Sequence, residues 1–318
     1  MSLEDPLGVV LAGLGREALF VAEQAVSRSD LRIHGLFEPD AERQWLLPLA
    51  GGRRLTWDNT LALAGRGVLL LDPTLDGADR LFQCWVEARG RVLIAGTSGL
   101  TSARLAAWRE LLSGTASTPP DSRVGIVETV PVSPDTRRAE ELVLSGQLGR
   151  LVTATWTSHA LTSLEPPTQP RVGDVASWLT ERLWPLTETL RRWGYRLAGG
   201  RSLSLVEGRP RAAVVISCWS SADVTAPAMR LMVDLDDSAR IAKRPGWSLE
   251  GDLGSYADGM LYQTTSAGEI VDLPQALPPR TGAEALEASL AAIRADAPLP
   301  LPLSAARESL AWAEELAR

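Results

Sequence analysis

The sequence predicts an α/β protein of two domains: a doubly wound parallel sheet over residues 1–120, and an α+β domain with an open, mainly antiparallel sheet over residues 121–318. The first domain is predicted because short apolar runs alternate with helical patterns, the order of parallel strands joined by helices. The second is predicted because apolar and polar side chains alternate from residue 151 onward, as in strands with one covered face. A polar, proline-containing segment, 117–121, marks the boundary.

The most specific pattern of the first domain lies in residues 8–38 and predicts a strand, a glycine turn, a helix and a second strand. Val9 to Ala12 form an apolar run, Gly13-Leu14-Gly15-Arg16-Glu17-Ala18 opens the helix, and the second strand stops at Glu38. In dinucleotide-binding units of this order, the glycines let the backbone approach a pyrophosphate and the acid binds ribose hydroxyls. We therefore predict cofactor contacts at Gly13, Leu14, Gly15, Arg16 and Glu38.

The same turn also has a simpler interpretation, a tight connection that binds no ligand. Glu17 is consistent with that alternative, because a carboxylate beside a phosphate site would repel the phosphate unless it points outward.

The remainder of the first domain continues the alternation of helices and strands. The predicted helices are 41–50, 60–64, 77–89 and 102–112, and the predicted strands are 55–57, 68–71 and 92–95. Ligands on doubly wound sheets bind beyond the carboxyl ends of the strands. We therefore expect further cofactor contacts from the residues at those ends, Pro73, Thr74 and Gly96.

The second domain begins with a predicted strand, 124–130, and with a helix that Ser133-Pro134 opens as N-cap and first helical residue. Five further strands are predicted at 151–157, 212–219, 228–235, 260–265 and 269–273. A capping box at Thr281-Gly282-Ala283-Glu284 begins another helix, and Ser304 begins the last one.

Composition excludes several classes of partner. A net charge of −7 and a pI near 5.1 argue against nucleic acid and against an anionic membrane surface. The sequence has neither a secretory signal nor an apolar run of membrane-spanning length, which predicts a cytoplasmic protein. Cys84 and Cys218 are far apart and form no C-x-x-C motif, so we predict two buried thiols and no metal site.

The chain is similar to the Gfo/Idh/MocA family of NAD(P)-dependent sugar oxidoreductases along nearly its whole length. The segments that carry this resemblance are Val9 to Ala18, Glu38-Pro39-Asp40 with Arg43, Pro73-Thr74, Ser133-Pro134, Leu144 to Leu151, Asp174 to Gly194 and Ala305 to Ala317. The run Ser145-Gly146-Gln147-Leu148-Gly149-Arg150 is the most specific of them. The resemblance implies a Rossmann domain, NAD(P), a sugar or polyol-like small molecule as substrate, and oligomers formed through the open sheet.

The sequence departs from the family pattern at its acid–base residues. Ala95-Gly96-Thr97 stands where the family has Glu-Lys-Pro, and the family's catalytic histidine falls on Trp184, with Thr187 at the following acid. Oxidation of a carbinol by hydride transfer requires a base near the hydroxyl. The only lysine of the chain, Lys243, lies in the second domain, far in sequence from Gly96.

His159 is the candidate for a replacement catalytic base, because the family architecture places the end of the first strand of the second sheet near the cleft. Its simpler interpretation is an imidazole at a strand end. The other acid–base candidates are Glu128, Asp174, Glu181 and Tyr256. Three tryptophans on one predicted helix are interpreted as packing residues: Trp178, Trp184 and Trp193.

Two functions of different classes remain open from the sequence. The first is a working oxidoreductase with altered acid–base residues. The second is a catalytically inactive relative that serves as a cofactor-binding regulatory or partner subunit, for example beside an active paralogue. A lyase or isomerase that uses bound NAD transiently is a third interpretation.

Two properties hold for either function. We expect NAD rather than NADP, because Pro39 and Asp40 follow Glu38 where an arginine would meet a 2′-phosphate. We also expect a homo-oligomer, most simply a dimer, through the C-terminal sheet, whose strands carry Trp156, Trp219, Met229 and Met232.

Overall fold

The computed structural model describes residues 6–40, 48, 53–114, 122–128, 130–159, 175–205, 211–220, 228–236, 246–264, 270–274 and 283–318. The chain divides into two compact units. The N-terminal unit contains Met1–Thr129 and Thr281–Ala311, and the second unit contains Val130–Arg280 and Trp312–Arg318. The predicted fold class, a doubly wound parallel sheet followed by a mainly antiparallel one, is confirmed.

The N-terminal unit is built on five parallel strands in the order β2-β1-β3-β4-β5. The strands are β1 (Leu7–Ala12), β2 (Leu31–Phe37), β3 (Val68–Leu71), β4 (Arg91–Ala95) and β5 (Val124–Val127). The helices between them are α1 (Arg16–Val26), α2 (Trp57–Ala62), α3 (Ala78–Glu87) and α4 (Ser102–Ser113). The chain moves from β1 to one side for β2 and crosses to the other side for β3. The carboxyl ends of β1 and β3 therefore form the topological switch point, where ligands bind in sheets of this kind.

Two predicted elements of this unit differ in the structure. Residues 55–57 are not a strand, and an isolated parallel bridge between Leu36 and Arg54 lies directly before them. Helix α2 already starts at Trp57, because the side chain of Thr56 caps it by accepting a hydrogen bond from the Asn59 N–H at 3.2 Å. The predicted helix 41–50 lies outside the described residues, apart from residue 48.

The boundary between the units also differs from the predicted division at residue 120. Strand β5, which was predicted for the second domain, pairs in parallel with β4 and belongs to the first sheet. Strand β5 also contacts residues from the far end of the chain. The Ile126 N–H donates to the Leu301 carbonyl at 2.9 Å. Helix α7 (Glu284–Arg294) packs on β5 and on α1. The N-terminal unit is therefore discontinuous in sequence.

The second unit contains an eight-stranded sheet in the order β13-β12-β11-β10-β6-β9-β8-β7. Only β6 and β9 pair in parallel; the other neighbours are antiparallel. Its strands are β6 (Leu151–His159), β7 (Tyr195–Leu205), β8 (Arg211–Ser220), β9 (Met229–Asp236), β10 (Gly246–Gly251), β11 (Gly254–Ala257), β12 (Met260–Thr264) and β13 (Ile270–Pro274). Helices α5 (Pro134–Leu144) and α6 (Val175–Arg192) contact β10 and β7, respectively. The last helix is α8 (Leu303–Ala317).

The two faces of this sheet differ in composition. Side chains on the covered face are buried, among them Trp156, Met229 and Trp247, and the Trp247 ring packs against Trp156 and Trp193 at centroid distances of 4.9 and 4.6 Å. The other face carries Trp219 and Met232, which are 43% and 38% exposed. Of the four apolar residues predicted on strands of this sheet, Trp219 and Met232 lie on the open face, whereas Trp156 and Met229 lie on the covered one.

Candidate functional site

The predicted glycine turn lies at the switch point, directly after β1. Gly13 has a φ of +76° and donates its N–H to the Phe37 carbonyl at 2.9 Å, which joins the turn to the end of β2. Gly15 is the N-cap of α1, and no side chain caps the helix there. The first turn of α1 therefore begins at the place where a dinucleotide-binding unit requires it.

Glu38 is fixed beside this turn at the end of β2. Its side chain is only 5% exposed. One carboxylate oxygen, Oε2, accepts the Leu14 N–H at 3.1 Å, and the other, Oε1, accepts the Asp40 N–H at 3.1 Å. Glu38 therefore lies beside the turn at the end of β2, where the sequence pattern places it, and its carboxylate also holds the turn. Its contact with a ribose stays a prediction.

A second carboxylate, from Asp72, enters the same turn from the end of β3. Asp72 is 2% exposed, and its Oδ2 accepts the Gly15 N–H. Its Oδ1 accepts both the Thr74 N–H at 2.8 Å and the Thr74 hydroxyl at 2.7 Å. The strand-end rule predicts ligand contacts from Pro73 and Thr74 of this loop and does not include Asp72 among them. The signal that could have identified Asp72 is an acid immediately before Pro73, on the strand next to β1.

The turn can be tested for its fit to the pyrophosphate of a nicotinamide dinucleotide. The hydrogen-bond donors of the turn are backbone N–H groups. The Leu14 and Gly15 N–H groups each donate to a carboxylate oxygen, which shows that these donors bind anionic acceptors. Added Cβ atoms would lie 2.7 Å from the Asp72 Cβ at Gly13 and 2.6 Å from Oδ2 at Gly15, so an anion approaches closely only because both residues are glycine. The donor set and the shape of the turn therefore fit a phosphate, with Asp72 standing in for it.

The other predicted cofactor residues lie at neighbouring strand ends of the N-terminal unit. Pro73 is buried, and its carbonyl accepts a hydrogen bond from the Arg104 guanidinium at 2.6 Å. Gly96 is buried directly after β4, so no side chain projects from the position where the resemblance expects a lysine. Arg16 is the first residue of α1, and its side chain lies outside the description.

The predicted acid–base candidates of the second unit fall into two groups. His159 is the last residue of β6 and pairs with Asp236 of β9, but its side chain lies outside the description, as does the whole of Asp174. Tyr256 is completely buried, and its hydroxyl donates to Asp135 Oδ1 at 2.8 Å. Tyr256 is therefore a residue of the unit's interior. Glu181 lies half-buried on α6.

Residues 184 and 187, where the resemblance expects the family's histidine and the following acid, are part of the core. Trp184 and Thr187 on α6 are both buried, and the Thr187 hydroxyl donates to the Trp184 carbonyl at 2.8 Å. Trp193 is buried as well, whereas Trp178 is half-buried. At this position α6 presents packing side chains and no group with a titratable proton.

A surface cleft of about 400 Å³ lies on the second unit, at β10, β11 and β12. Its lining includes Glu250, Asp252 and Tyr262. Asp252 already accepts the Arg150 N–H at 2.8 Å, which gives it a structural role. No residue predicted from the sequence as a ligand contact or catalyst lines this cleft.

The described residues contain neither a metal-binding cluster nor a membrane-spanning helix. None of their His, Cys, Asp and Glu side chains form a group of three or more that could hold a metal ion. None of the helices in the described part of the chain is long and apolar enough to cross a membrane.

Solved structures similar to this chain were found, although no protein-family model and no curated protein match its sequence. A UDP-N-acetylglucosamine 3-dehydrogenase from Acidithiobacillus ferrooxidans superposes with a TM-score of 0.70 at 15% identity, over 98% of this chain and 96% of the other. A putative myo-inositol dehydrogenase from Sinorhizobium meliloti 1021 gives 0.67 at 14% identity, over 96% and 95%. An NAD-binding protein from Listeria innocua gives 0.69 at 13% identity, over 97% and 93%.

The chain has the fold of these proteins. The match runs from end to end and includes both units, so the order of a parallel sheet followed by a mainly antiparallel one is common to all four chains. With sequence identities of 13–15%, these similarities establish the fold alone. The chemistry of individual positions depends on the residues of this chain.

Proposed function

We propose that this protein is an oxidoreductase of the Gfo/Idh/MocA type that binds NAD in preference to NADP and acts on a sugar- or polyol-like small molecule. The observation that carries the proposal is the pair formed by the glycine turn and Glu38 at the switch point of the first sheet. The end-to-end similarity to dehydrogenase structures supports it. Bound at this turn, the cofactor would supply the hydride acceptor, while Gly13, Leu14 and Gly15 would hold its pyrophosphate and Glu38 its ribose.

The preference for NAD is proposed because Glu38 is a buried acid at the ribose position. A 2′-phosphate there would meet a carboxylate that is already fixed by two backbone N–H groups. We expect NADH to bind the parent protein at least ~10-fold more tightly than NADPH, since like charges at close range are repulsive. Glu38→Gln keeps one oxygen that can accept a backbone N–H, and it removes the charge. The variant should therefore reduce the difference between the NADH and NADPH affinities. Fluorescence titration of both reduced cofactors against both proteins tests the assignment, and tighter NADPH binding by the parent would contradict it.

Turnover is expected to be slow. By the resemblance, Gly96 and Trp184 take the positions of the family's lysine and histidine, and neither can accept a proton. The loss of one positioned acid–base group typically costs ~10²–10⁴-fold in rate. We therefore expect NAD reduction with inositols, hexoses and amino sugars to remain far below ordinary enzymatic rates. If a polyol is turned over at an ordinary rate, another base is present, and His159→Ala is the variant that tests whether His159 is that base.

The second candidate function is a catalytically inactive relative that binds the cofactor and serves another protein as a regulatory or partner subunit. The sequence feature in its favour comes from the resemblance, in which Gly96 and Trp184, which carry no titratable proton, take the places of the family's lysine and histidine. Cofactor binding without any cofactor-dependent turnover across the substrate panel would favour this function over the first.

A homo-oligomer through the open face of the second sheet is proposed for either function. Trp219 and Met232 are exposed large apolar side chains on that face. Burial of such groups is the usual driving force of a symmetric interface. Light scattering at micromolar concentration should give the mass of a dimer, and the double variant Trp219→Arg, Met232→Arg should give that of a monomer. A monomeric parent would contradict the proposal.

A further inference from the structure

Asp72 occupies the position at the glycine turn that a phosphate group would need. Its Oδ2 accepts the Gly15 N–H at the start of α1, and helix N-termini are where phosphates bind in such units. A phosphate at this place would have to take over that N–H and would lie beside a carboxylate that is 2% exposed. An anionic ligand and Asp72 therefore compete for the same donor.

The position of the Asp72 side chain is built into the loop. Three donors fix the carboxylate: the Gly15 N–H on one oxygen, and the N–H and hydroxyl of Thr74 on the other. The backbone N–H of Asp72 donates to the Ala12 carbonyl at 2.8 Å, which holds the residue against the end of β1. The two glycines leave room for this side chain and for nothing larger than a hydrogen on their own Cα atoms.

We propose that Asp72 is an internal competitor of the cofactor pyrophosphate and thereby sets the affinity of the N-terminal unit for dinucleotides. A bound dinucleotide displaces the Asp72 carboxylate from the Gly15 N–H, and the lost hydrogen bond and the proximity of two anions both weaken binding. This inference rests on the proposed function in one respect, since it takes the ligand of the turn to be a dinucleotide.

Two substitutions separate the charge of Asp72 from its volume. Asp72→Asn has the same shape and retains an oxygen for Gly15 or Thr74, but it carries no charge. Asp72→Ser is shorter and leaves the Gly15 N–H to an incoming phosphate. The matched control is Asp76→Asn, which removes one negative charge from an exposed position four residues further along the same loop.

The probe is ADP-ribose, which contains the adenosine and the pyrophosphate of the cofactor and lacks the nicotinamide. Isothermal titration calorimetry should show at least ~10-fold tighter binding to Asp72→Ser and Asp72→Asn than to the parent, because both variants remove the competing charge and Asp72→Ser also removes the competing acceptor. Asp76→Asn should bind within about 2-fold of the parent, since exposed charges are screened. Circular dichroism verifies that each variant is folded; Asp72→Asn serves as the decisive variant if Asp72→Ser is not.

The outcomes distinguish this inference from the proposed function. ADP-ribose affinities that are equal to the parent's, or weaker, in the folded variants overturn the role of Asp72, whatever NADH does. Variants that bind ADP-ribose more tightly while neither they nor the parent bind NADH uphold the role of Asp72 and contradict a nicotinamide cofactor. Tighter binding of both ligands by the variants supports both.

Discussion

Single residues of this protein differ in how far their surroundings change their chemistry, and the two cysteines are an example. Cys218 lies on the covered face of β8 and is completely buried, and this burial raises the pKa of its thiol to about 12. Cys84 lies half-buried on α3. The thiolate is the reactive form of cysteine, so the two thiols should react at very different rates.

In the folded protein at pH 8, we expect a thiol reagent such as DTNB to modify Cys84 and to leave Cys218 unmodified. The raised pKa keeps Cys218 protonated, and its burial denies access to the reagent. Cys84→Ser should therefore abolish the fast phase of labelling, and Cys218→Ser should preserve it. A fast phase that survives in Cys84→Ser would show that β8 opens readily.

Glu38 and Asp72 show what the sequence could predict about single residues and what it could not. Glu38 was predictable because its distance from the glycine turn and its place at the end of a strand follow a common pattern. Asp72 lies 57 residues from Gly15 in sequence, and their hydrogen bond depends on β1 and β3 being neighbours in the sheet. Strand order is a tertiary property, and a contact that depends on it is not visible in local patterns.

At the scale of elements, a buried carboxylate joins helix α5 to the sheet of the second unit. Ser133 caps α5 by accepting the Thr136 N–H at 3.3 Å, and Pro134 follows as the first helical residue. Asp135, in the first turn, accepts the Trp247 N–H of β10 at 2.9 Å and the Tyr256 hydroxyl of β11 at 2.8 Å. The same short segment, from Ser133 to Asp135, thus caps the helix and joins it to the sheet.

Replacement of Asp135 should destabilise the second unit more than replacement of its partner. Asp135→Ala leaves two buried donors without this acceptor and should lower the free energy of unfolding by ~2–4 kcal/mol, whereas Tyr256→Phe removes one donor and should cost ~1–2 kcal/mol. Urea unfolding of both variants and of the double variant measures the coupling. A change below about 0.5 kcal/mol for Asp135→Ala would mean that the joint contributes little.

Strands β7, β10 and β11 of the second unit are not among the predicted elements, and for β7 and β11 the reason is visible in the strand itself. Strand β7 contains Gly199-Gly200, and its pairing with β8 shifts register between Leu197 and Arg201, so the alternation of side chains is interrupted. Strand β11 has only four residues, too few to give a period. Strand β5 was recognised as a strand, but its four buried residues could not reveal that its neighbour is β4.

At the scale of the whole molecule, the chain returns to the N-terminal unit after the second unit is complete. Arg294 on α7 donates to Asp30 at 2.7 Å, and Arg91 of β4 donates to the Ile293 carbonyl at 2.7 Å. The pKa of Asp30 is lowered to about 2, chiefly by its hydrogen bond from Arg28. Apolar contacts accompany these polar ones, because Leu286, Leu290 and Ile293 on α7 are buried. The core of the N-terminal unit is therefore completed by the segment that returns from the end of the chain.

Residues 1–129 joined through a short flexible linker to residues 281–311 should unfold cooperatively on heating, whereas residues 1–129 alone should not. The reason is that α7 and the Leu299–Leu301 segment cover β5 and neighbouring parts of the unit. The matched control is the joined chain with Leu290→Asp, which places a charge in that contact and should lose the transition. Calorimetry of the three chains is the measurement; equal melting of residues 1–129 alone would contradict the expectation.

The return of the chain also has a consequence for the protein as it is being made. Residues 1–129 leave the ribosome first, but the segment that covers β5 follows only after residues 130–280. At bacterial or eukaryotic rates of synthesis this interval is on the order of ten seconds. If residues 1–129 alone are as unstable as we expect, the nascent chain exposes the apolar surface of β5 during this interval. The interval is long compared with the folding time of a small domain. It is also long enough for a chaperone to bind.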